Sequence, residues 1–207
     1  MENKKPGLLV RLQNKITRSY GIALVVLLIL MTVLSLTTGG NFLTYENIFN
    51  LSRATSVYGI VALAMTFVII TGGIDLSVGA NVGLAGMLVT LLTVHRGVNM
   101  WLAMLIAVVA CALVGFLNGI LIYDGKLPPF IATLGSMTII RAVILLISDS
   151  RNITGLPEEF LKISKITIGF TKTNNLGMSV TYGIPFMTLV WLLLIFASAA
   201  IFKYTYF

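Results

Sequence analysis

The sequence predicts an all-α fold, a polytopic membrane bundle of about six transmembrane helices. Of its 207 residues, 57% are hydrophobic and 10% are charged, and the mean hydropathy is +0.99. Soluble domains carry about 25% charged residues. Because a spanning helix needs about 20 apolar residues, the chain has room for about six crossings and for no separate soluble domain. Residues 1–207 are therefore predicted to form a single transmembrane domain.

Six apolar runs account for the predicted spans. The first, residues 21–36, follows a basic segment, as the apolar part of a signal peptide does. The apolar part of a signal peptide is usually about 7–15 residues long, and this run is longer. Residues 37–41 also offer no small-residue cleavage site. It is therefore predicted to be an uncleaved first span. The other runs that are long enough to cross are residues 54–71, 74–94, 100–123, 130–147 and 184–202.

The basic residues predict the orientation of these spans. Residues 1–20 carry five of them, and Lys126 and Lys203 follow the fourth and sixth runs. The short connections on the other side hold only Arg53 and Arg96. By the positive-inside rule, the N-terminus is predicted to be cytoplasmic.

The same orientation makes residues 148–182 a long extracytoplasmic loop. Within this loop, isoleucines occur among polar residues over residues 163–170. Such a pattern predicts a short strand or hairpin outside the membrane.

The sequence lacks the common motifs of enzymes and metal sites. A lone cysteine, Cys111, excludes an intramolecular disulfide framework, and a lone histidine, His95, cannot build a histidine metal site. Residues 119–127 miss the Walker spacing by one residue and end at Leu127, where a Ser or Thr is required. The basic residues form no aromatic-interleaved patch. We predict no catalytic residue, no metal and no nucleic-acid partner.

The most informative stretch lies between the second and third runs. Gly72 and Gly73 weaken a helix, and Asp75 and Ser77 are side chains suited to capping a new one. A broken helix is predicted here, with Gly79 included in the break. A carboxylate near the bilayer is a candidate functional group. Alternatively, Asp75 only caps the following helix where water reaches it.

A second polar group occurs inside the later spans. Asn118 and Thr133 supply neutral hydrogen-bonding groups, which suit either bonds between helices or a passing polyol. Arg141 lies inside the fifth run and needs a partner or an aqueous face. A pairing of Arg141 with Asp75 is a conjecture. The candidate substrate path is Asp75, Ser77, Asn118, Thr133 and Arg141.

Glycines also occur four residues apart within two of the runs. Gly79 precedes Gly83, and Gly115 precedes Gly119. In membrane helices this spacing lets two backbones approach closely. Gly83, Gly115 and Gly119 are therefore predicted to mark helix-packing faces.

Several strings in the sequence closely resemble the permease subunits of ribose-type monosaccharide ABC importers. They are TFVIITGGIDLSVG at residues 66–79, Gly115-x-x-Asn-Gly-x-Leu121, LPPFIATLG at residues 127–135 and NITGLP at residues 152–157. The resemblance implies a multi-pass permease of the bacterial inner membrane, surrounded by lipid. It also implies three protein partners: a second permease subunit, a periplasmic sugar-binding protein and a cytoplasmic ABC ATPase. ATP would be bound by that ATPase, so no cofactor is expected in this chain.

In such permeases, a cytoplasmic coupling segment and further spans follow a helix like the last one predicted here. The chain is therefore expected to be the N-terminal part of a longer family fold. By itself it is expected to insert into a membrane without driving sugar uptake.

Two functions follow from these patterns. The favoured one is the permease component of an ATP-driven importer for a monosaccharide such as ribose, because neutral polar residues can replace the hydrogen bonds that water makes to a hydroxyl-rich solute. The alternative is a secondary carrier for a small polar solute, with Asp75 as the proton or cation site.

Overall fold

The computed structural model describes residues 8–173 and 179–205. The chain divides into two compact units, Met1–Ser52 and Arg53–Phe207. The helices are α1 (Leu8–Thr37), α2 (Tyr45–Ile70), α3 (Val78–Thr90), α4 (Met100–Tyr123), α5 (Pro129–Ile147), α6 (Glu158–Lys165) and α7 (Phe186–Tyr204). A short 3-10 helix covers Asn41–Leu43, and the strands are β1 (Thr167–Thr173) and β2 (Ser179–Pro185).

The predicted polytopic helical bundle is confirmed. Within the described residues, five helices are long and apolar enough to cross a membrane: Tyr45–Ile70, Val78–His95, Met100–Tyr123, Pro129–Ile147 and Phe186–Tyr204. The first predicted span corresponds to a shorter apolar stretch, Gly21–Thr37. This stretch belongs to α1, which already begins at Leu8. No glycine or proline interrupts α1 before Gly21, so the helix extends beyond its apolar part.

The third predicted span is a composite. Helix α3 begins at Val78, four residues later than the apolar run, because Ile74–Ser77 are not helical. After Thr90 the helix widens into a π-helical turn, Leu91–His95. Together these segments cover 18 residues, which is long enough to cross. The helix break predicted at Gly72 and Gly73 is confirmed, since α2 ends at Ile70.

The core of the second unit lies where α3 packs between α4 and α5. Ala80 and Leu84 from α3 and Ile140 from α5 are buried there, with Leu88, Cys111, Val114, Met137 and Ile144 partly buried around them. Most other apolar side chains of these helices are exposed. Helices that are apolar on all sides are typical of a lipid environment.

Helix α2 packs against α7 through small and aromatic side chains. Ser56 Oγ donates a hydrogen bond of 2.9 Å to Thr188 Oγ1. A Cβ atom on Gly59 would overlap the indole ring of Trp191, so this contact depends on glycine. Near the other end of the pair, the rings of Phe67 and Phe202 lie 4.7 Å apart. The sequence prediction missed this contact, although Ser56 and Gly59 are small residues three positions apart on one helix.

The predicted extracytoplasmic loop contains α6 and β1, and β2 begins within it and ends at Pro185. In the part of the chain that the structure describes, the two strands form one antiparallel sheet beside the helices. Thr167 pairs with Pro185 and Gly169 with Gly183. The strand predicted over residues 163–170 begins only at Thr167, because Ile163 lies in α6. Phe170 and Tyr182 stack across the hairpin, with their ring centroids 5.9 Å apart.

Candidate functional site

The break between α2 and α3 is a tight reversal of the chain, which we call the break segment (residues 71–77). Gly72 has a φ of 79°, a conformation that favours glycine. The N–H of Gly73 donates to the carbonyl of Val68 at 3.0 Å. A Cβ on Gly73 would lie 3.1 Å from Val68 Cγ1, so a larger side chain would crowd the end of α2. Both glycines therefore fit the reversal. Gly79, which the sequence assigned to the break, is instead the second residue of α3.

Asp75 binds the start of α3 through its carboxylate. Asp75 Oδ1 accepts hydrogen bonds from Ser77 N at 2.7 Å and from Ser77 Oγ at 2.6 Å. This is the geometry of an Asx turn, in which a short side chain satisfies the backbone two residues later. Ser77 is fully buried and is the N-cap residue of α3. The carboxylate thus holds the N-cap residue of α3, and Ser77 itself makes no side-chain cap hydrogen bond.

Asn118 and Thr133 attach the break segment to the neighbouring helices. Asn118 Nδ2, on α4, donates a hydrogen bond to Ser77 Oγ at 3.2 Å. Thr133 Oγ1, on α5, accepts one from Leu76 N at 3.2 Å and donates to the carbonyl of Pro129 at 2.7 Å. Both side chains are buried, with 5% and 2% of their surface exposed. Residues from three separate parts of the sequence therefore form one polar cluster.

Beside this cluster lies a cavity of about 310 Å³, which we call the break cavity. Its walls come from the end of α2, the break segment, the last turns of α4 and the first turns of α5. The lining residues are Val68, Thr71, Gly72, Gly73, Ile74, Asp75, Gly115, Asn118, Gly119, Ile122, Pro129 and Thr133. The sequence prediction named most of the polar ones. It missed Thr71, which directly precedes the glycine pair, and Ile122, for which the sequence gives no signal.

The glycines predicted to mark helix packing fall into two groups. A Cβ on Gly83 would contact Ile144 Cδ1 at 3.5 Å, which agrees with a packing face between α3 and α5. Gly115 and Gly119 differ from this prediction, since a Cβ on either would have no heavy atom within 4 Å. They line the break cavity instead. Their missing side chains leave space open and do not bring two helices together.

Arg141 lies apart from the polar cluster. It is exposed, and it follows Thr133 by eight residues on α5, or about 12 Å along the helix. Among the described residues, Arg141 has no carboxylate within ion-pair distance, whereas Lys162 and Glu158 form an ion pair of 3.7 Å on the surface of α6. The conjectured pairing of Asp75 with Arg141 is therefore absent from the described structure. The physical reason is their separation along the bundle.

The break cavity lies about one helical turn inside the ends of α4 and α5. Asn118 is five residues before the last residue of α4, Tyr123, and Thr133 is four residues after the first residue of α5, Pro129. At 1.5 Å per residue these positions are about 6–8 Å from the helix ends. In the short turn beyond, the ammonium of Lys126 lies 4.9 Å from the ring centroid of Tyr123.

The lining of the break cavity is uncharged except for one carboxylate. Thr71, Asn118 and Thr133 are neutral, and the Asp75 carboxylate already accepts two hydrogen bonds from Ser77. In the part of the chain that the structure describes, no group of three or more His, Cys, Asp or Glu could hold a metal ion. The lining therefore combines neutral polar side chains with the Asp75 carboxylate.

Comparison with known proteins agrees with a transport role. Relatives include the ribose import permease protein RbsC of Bacillus subtilis (strain 168), 44% identical over 135 residues, and RbsC of Escherichia coli (strain K12), 34% identical over 182 residues. The fructose import permease protein FrcC of Rhizobium meliloti is 33% identical over 189 residues. These matches cover 65%, 86% and 90% of this chain, respectively.

The chain spans about half the length, or less, of these relatives: 40% of the Bacillus protein, 51% of the Escherichia protein and 52% of the Rhizobium protein. No solved structure matches the chain. A family model described as "Branched-chain amino acid transport system / permease component" matches residues 47–207. This range includes the break segment and the whole lining of the break cavity. The chain is therefore a multi-pass membrane protein and belongs to this family of transport permease components.

Proposed function

We propose that this protein is the permease component of an ATP-driven importer for a monosaccharide such as ribose. The observation that carries the proposal is the break cavity, which combines about 310 Å³ of space with a lining that is uncharged except for Asp75. Cavities for drug-sized ligands measure about 300–1,000 Å³, so this cavity suits a small solute. The names of the relatives, which are ribose and fructose import permeases, support a sugar.

The charge of the cavity favours a sugar over an amino acid, the solute that the family description names. A free amino acid carries an ammonium and a carboxylate, and both charges need compensation when they leave water. The cavity lining holds one charged residue, Asp75, and no Lys or Arg. A carboxylate group entering this cavity would therefore have no cation to pair with. A neutral sugar needs only hydrogen bonds.

The chain contributes a path whose opening is controlled by another subunit. A separate ABC ATPase would hydrolyse ATP, and its nucleotide-dependent states would favour different conformations of the permease. A second permease subunit would complete the path, and a periplasmic binding protein would deliver the sugar. No residue of this chain breaks or forms bonds in this scheme, so the chain is proposed not to be an enzyme.

The proposed location is the bacterial inner membrane, with the N-terminus in the cytoplasm. The basic residues at 1–20, Lys126 and Lys203 support this orientation through the positive-inside rule. It would place the break cavity on the cytoplasmic side and residues 148–182 on the periplasmic side. The α6 helix and the hairpin would then lie where a binding protein arrives.

A secondary carrier that uses Asp75 as its ion site is not favoured. Its carboxylate accepts two short hydrogen bonds from Ser77, and these bonds hold the start of α3. Binding a proton or cation there would compete with this structural contact. The relatives' names, ribose and fructose import permeases, also favour the importer.

The test is solute uptake by a hybrid permease. In the hybrid, this chain replaces the matching 182-residue region of the E. coli ribose permease. The hybrid is expressed with the E. coli ATPase and binding protein in a strain without its own ribose permease. We expect uptake of labelled ribose but not of labelled leucine. An ATPase subunit without its Walker lysine is the control and should abolish uptake.

Two results would contradict the proposal. Uptake of leucine without uptake of any sugar would favour the amino-acid function that the family description names. Ribose uptake that persists with the inactive ATPase would favour the secondary carrier. Immunoblotting of the membrane fraction confirms in each case that the hybrid is present.

A further inference from the structure

A second cavity, of about 270 Å³, lies at the opposite end of α3 and α5. We call it the distal cavity. Gly86 and Thr90 from α3, Ser148 at the end of α5, and Ser150, Arg151 and Asn152 from the following loop are among its lining residues. Thr90 follows Ser77 by 13 residues, or about 20 Å along the helix. The distal cavity is therefore separate from the break cavity, and the proposed function does not use it.

The backbone departs from regular geometry on two sides of the distal cavity. Directly after Thr90, helix α3 widens into its π-helical turn, Leu91–His95. Asp149 and Ser150 are consecutive non-glycine residues with φ values of 50° and 55°, in the sparsely populated left-handed region. π-Helical turns and residues held in unfavourable backbone conformations both cluster at functional sites. Two independent irregularities thus border the same small space.

The loop after α5 is held by its backbone while its polar side chains stay available. Ser150 N donates to the carbonyl of Leu145 at 3.0 Å, and Arg151 N donates to that of Ser148 at 2.9 Å. The exposed side chains of Arg151 and Asn152 make no hydrogen bond to any other residue that the structure describes. A guanidinium and an amide that line the cavity are therefore free to bind a solute.

The hydroxyl groups on the cavity wall complement these donors. Thr90 Oγ1 donates to the carbonyl of Gly86 at 2.7 Å, and Ser148 Oγ donates to that of Leu145 at 3.4 Å. Each hydroxyl therefore donates its hydrogen to a backbone carbonyl, and its oxygen can still accept a hydrogen bond from a ligand. The distal cavity thus offers acceptors on its helical wall and donors on its loop.

The mixture of donors and acceptors indicates the ligand class. Each hydroxyl of a sugar both donates and accepts, so a sugar needs both kinds of partner. Arg151 is the single cation in the lining. Its planar guanidinium can donate two parallel hydrogen bonds to adjacent oxygens of a sugar. A Cβ on Gly86 would have no heavy atom within 4 Å, so Gly86 leaves open space in the wall.

We propose that the distal cavity is a second monosaccharide-binding site, at the end of the helices that is predicted to face outward. This proposal rests on the proposed function for the choice of a sugar. It makes the distal cavity the place where the solute first contacts the permease. The buried core of Ala80, Leu84 and Ile140 lies between the two cavities, so each can be tested without the other.

The test measures protection of a reporter cysteine in the purified chain, reconstituted in lipid nanodiscs. Cys111 is first replaced by serine, which can still donate to the carbonyl of Asn81, the acceptor that Cys111 Sγ contacts at 3.4 Å. The reporter is Ile153→Cys, which lines the cavity without removing a polar group. A charged thiol reagent labels it with and without ribose. At ribose concentrations ten times the Kd, labelling should slow about tenfold, because the free fraction falls to about one eleventh.

Two variants and one control make the result specific. Gly86→Leu fills the open space and should abolish protection by ribose. Arg151→Gln removes the cation from an exposed position, where folding does not depend on it, and should weaken protection. Gly135→Leu is the control, since Gly135 on α5 also has no heavy atom within 4 Å of an added Cβ but does not line the cavity. It should leave protection unchanged.

The outcomes separate this proposal from the proposed function. Labelling that ribose does not slow would overturn the distal site, and so would protection by sulfate but not by ribose. Protection by ribose together with a hybrid that takes up no sugar would support the site and contradict the importer. ATP-dependent ribose uptake that is unaffected by Gly86→Leu and Arg151→Gln would contradict the site alone.

Discussion

Asn118 on α4 donates a hydrogen bond of 3.2 Å to the hydroxyl of Ser77, which lies 41 residues earlier in the chain. Ser77 in turn donates to Asp75, so the carboxylate is connected to α4 through a buried hydroxyl. The same serine is the N-cap residue of α3. The position of the break segment is thus set by helix α4 as well as by its own glycines.

Replacing Asn118 by leucine should destabilise the protein by about 1–3 kcal/mol. The variant leaves the buried Ser77 hydroxyl without its partner on α4, and a buried hydrogen-bonding group that loses its partner costs about that much. The measurement is unfolding in detergent, followed by circular dichroism. Thr138→Val is the control. Thr138 is exposed and bonds only within its own helix, so the change should stay within about 0.5 kcal/mol. Equal stability of both variants and the parent would contradict the role of Asn118.

Gly73→Leu in the hybrid permease should lower ribose uptake while its amount in the membrane stays normal. An added Cβ would lie 3.1 Å from Val68 Cγ1 and 3.2 Å from the carbonyl of Val68, and the rest of the leucine would enter the break segment. Insertion depends on the apolar spans and the flanking charges, which do not change. Uptake and membrane level are measured on the same cells. Normal values for both would contradict a functional role for the break segment.

Asp75→Asn should reduce uptake less than Asp75→Ala. Asparagine keeps a side-chain oxygen that can accept from Ser77 N, whereas alanine removes the acceptor and leaves the start of α3 without its Asx turn. The measurement is the initial rate of ribose uptake by each hybrid. If both variants lose uptake completely although their membrane levels are normal, then the charge of Asp75 matters more than its hydrogen bonds. That outcome would favour the secondary carrier, in which Asp75 is the proton or cation site.

Gly59→Ala should destabilise the packing of α2 on α7 by about 1–3 kcal/mol, the typical cost of forcing an extra group into a packed contact. The new Cβ would overlap the indole of Trp191. Trp191→Phe removes part of this ring and should restore much of the loss in the double variant. Gly115→Ala is the matched control, since its Cβ would meet no heavy atom within 4 Å. It should be neutral or slightly stabilising, because alanine favours helix formation.

The orientation of the chain can be tested with a thiol reagent that does not cross membranes. In a Cys111→Ser background, Lys162→Cys on α6 should be labelled in intact cells, because residues 148–182 are predicted to lie outside. Lys126→Cys in the turn between α4 and α5 should be labelled only after the cells are permeabilised. Both side chains are exposed, so access depends on the membrane alone. The opposite pattern would invert the proposed topology.

Composition and the positions of apolar runs determined the membrane class and the approximate spans. The run at residues 100–123 coincides with α4, and the break at Gly72 and Gly73 occurs where two glycines precede two capping residues. Such features are local, because span length and helix termination depend on neighbouring residues. The NITGLP string at residues 152–157 also marked part of the loop that lines the distal cavity, without indicating a cavity there.

Only the tertiary structure decided which polar residues meet. It joins Asp75, Ser77, Asn118 and Thr133 and leaves Arg141 about 12 Å from Thr133 along α5, although the sequence prediction placed all five on one candidate substrate path. It also separates Gly83, where an added Cβ would meet Ile144, from Gly115 and Gly119, which line a cavity. The physical reason is that the rotation and axial offset of each helix against its neighbours depend on side-chain packing over the whole contact, and the spacing of residues within one helix does not specify them.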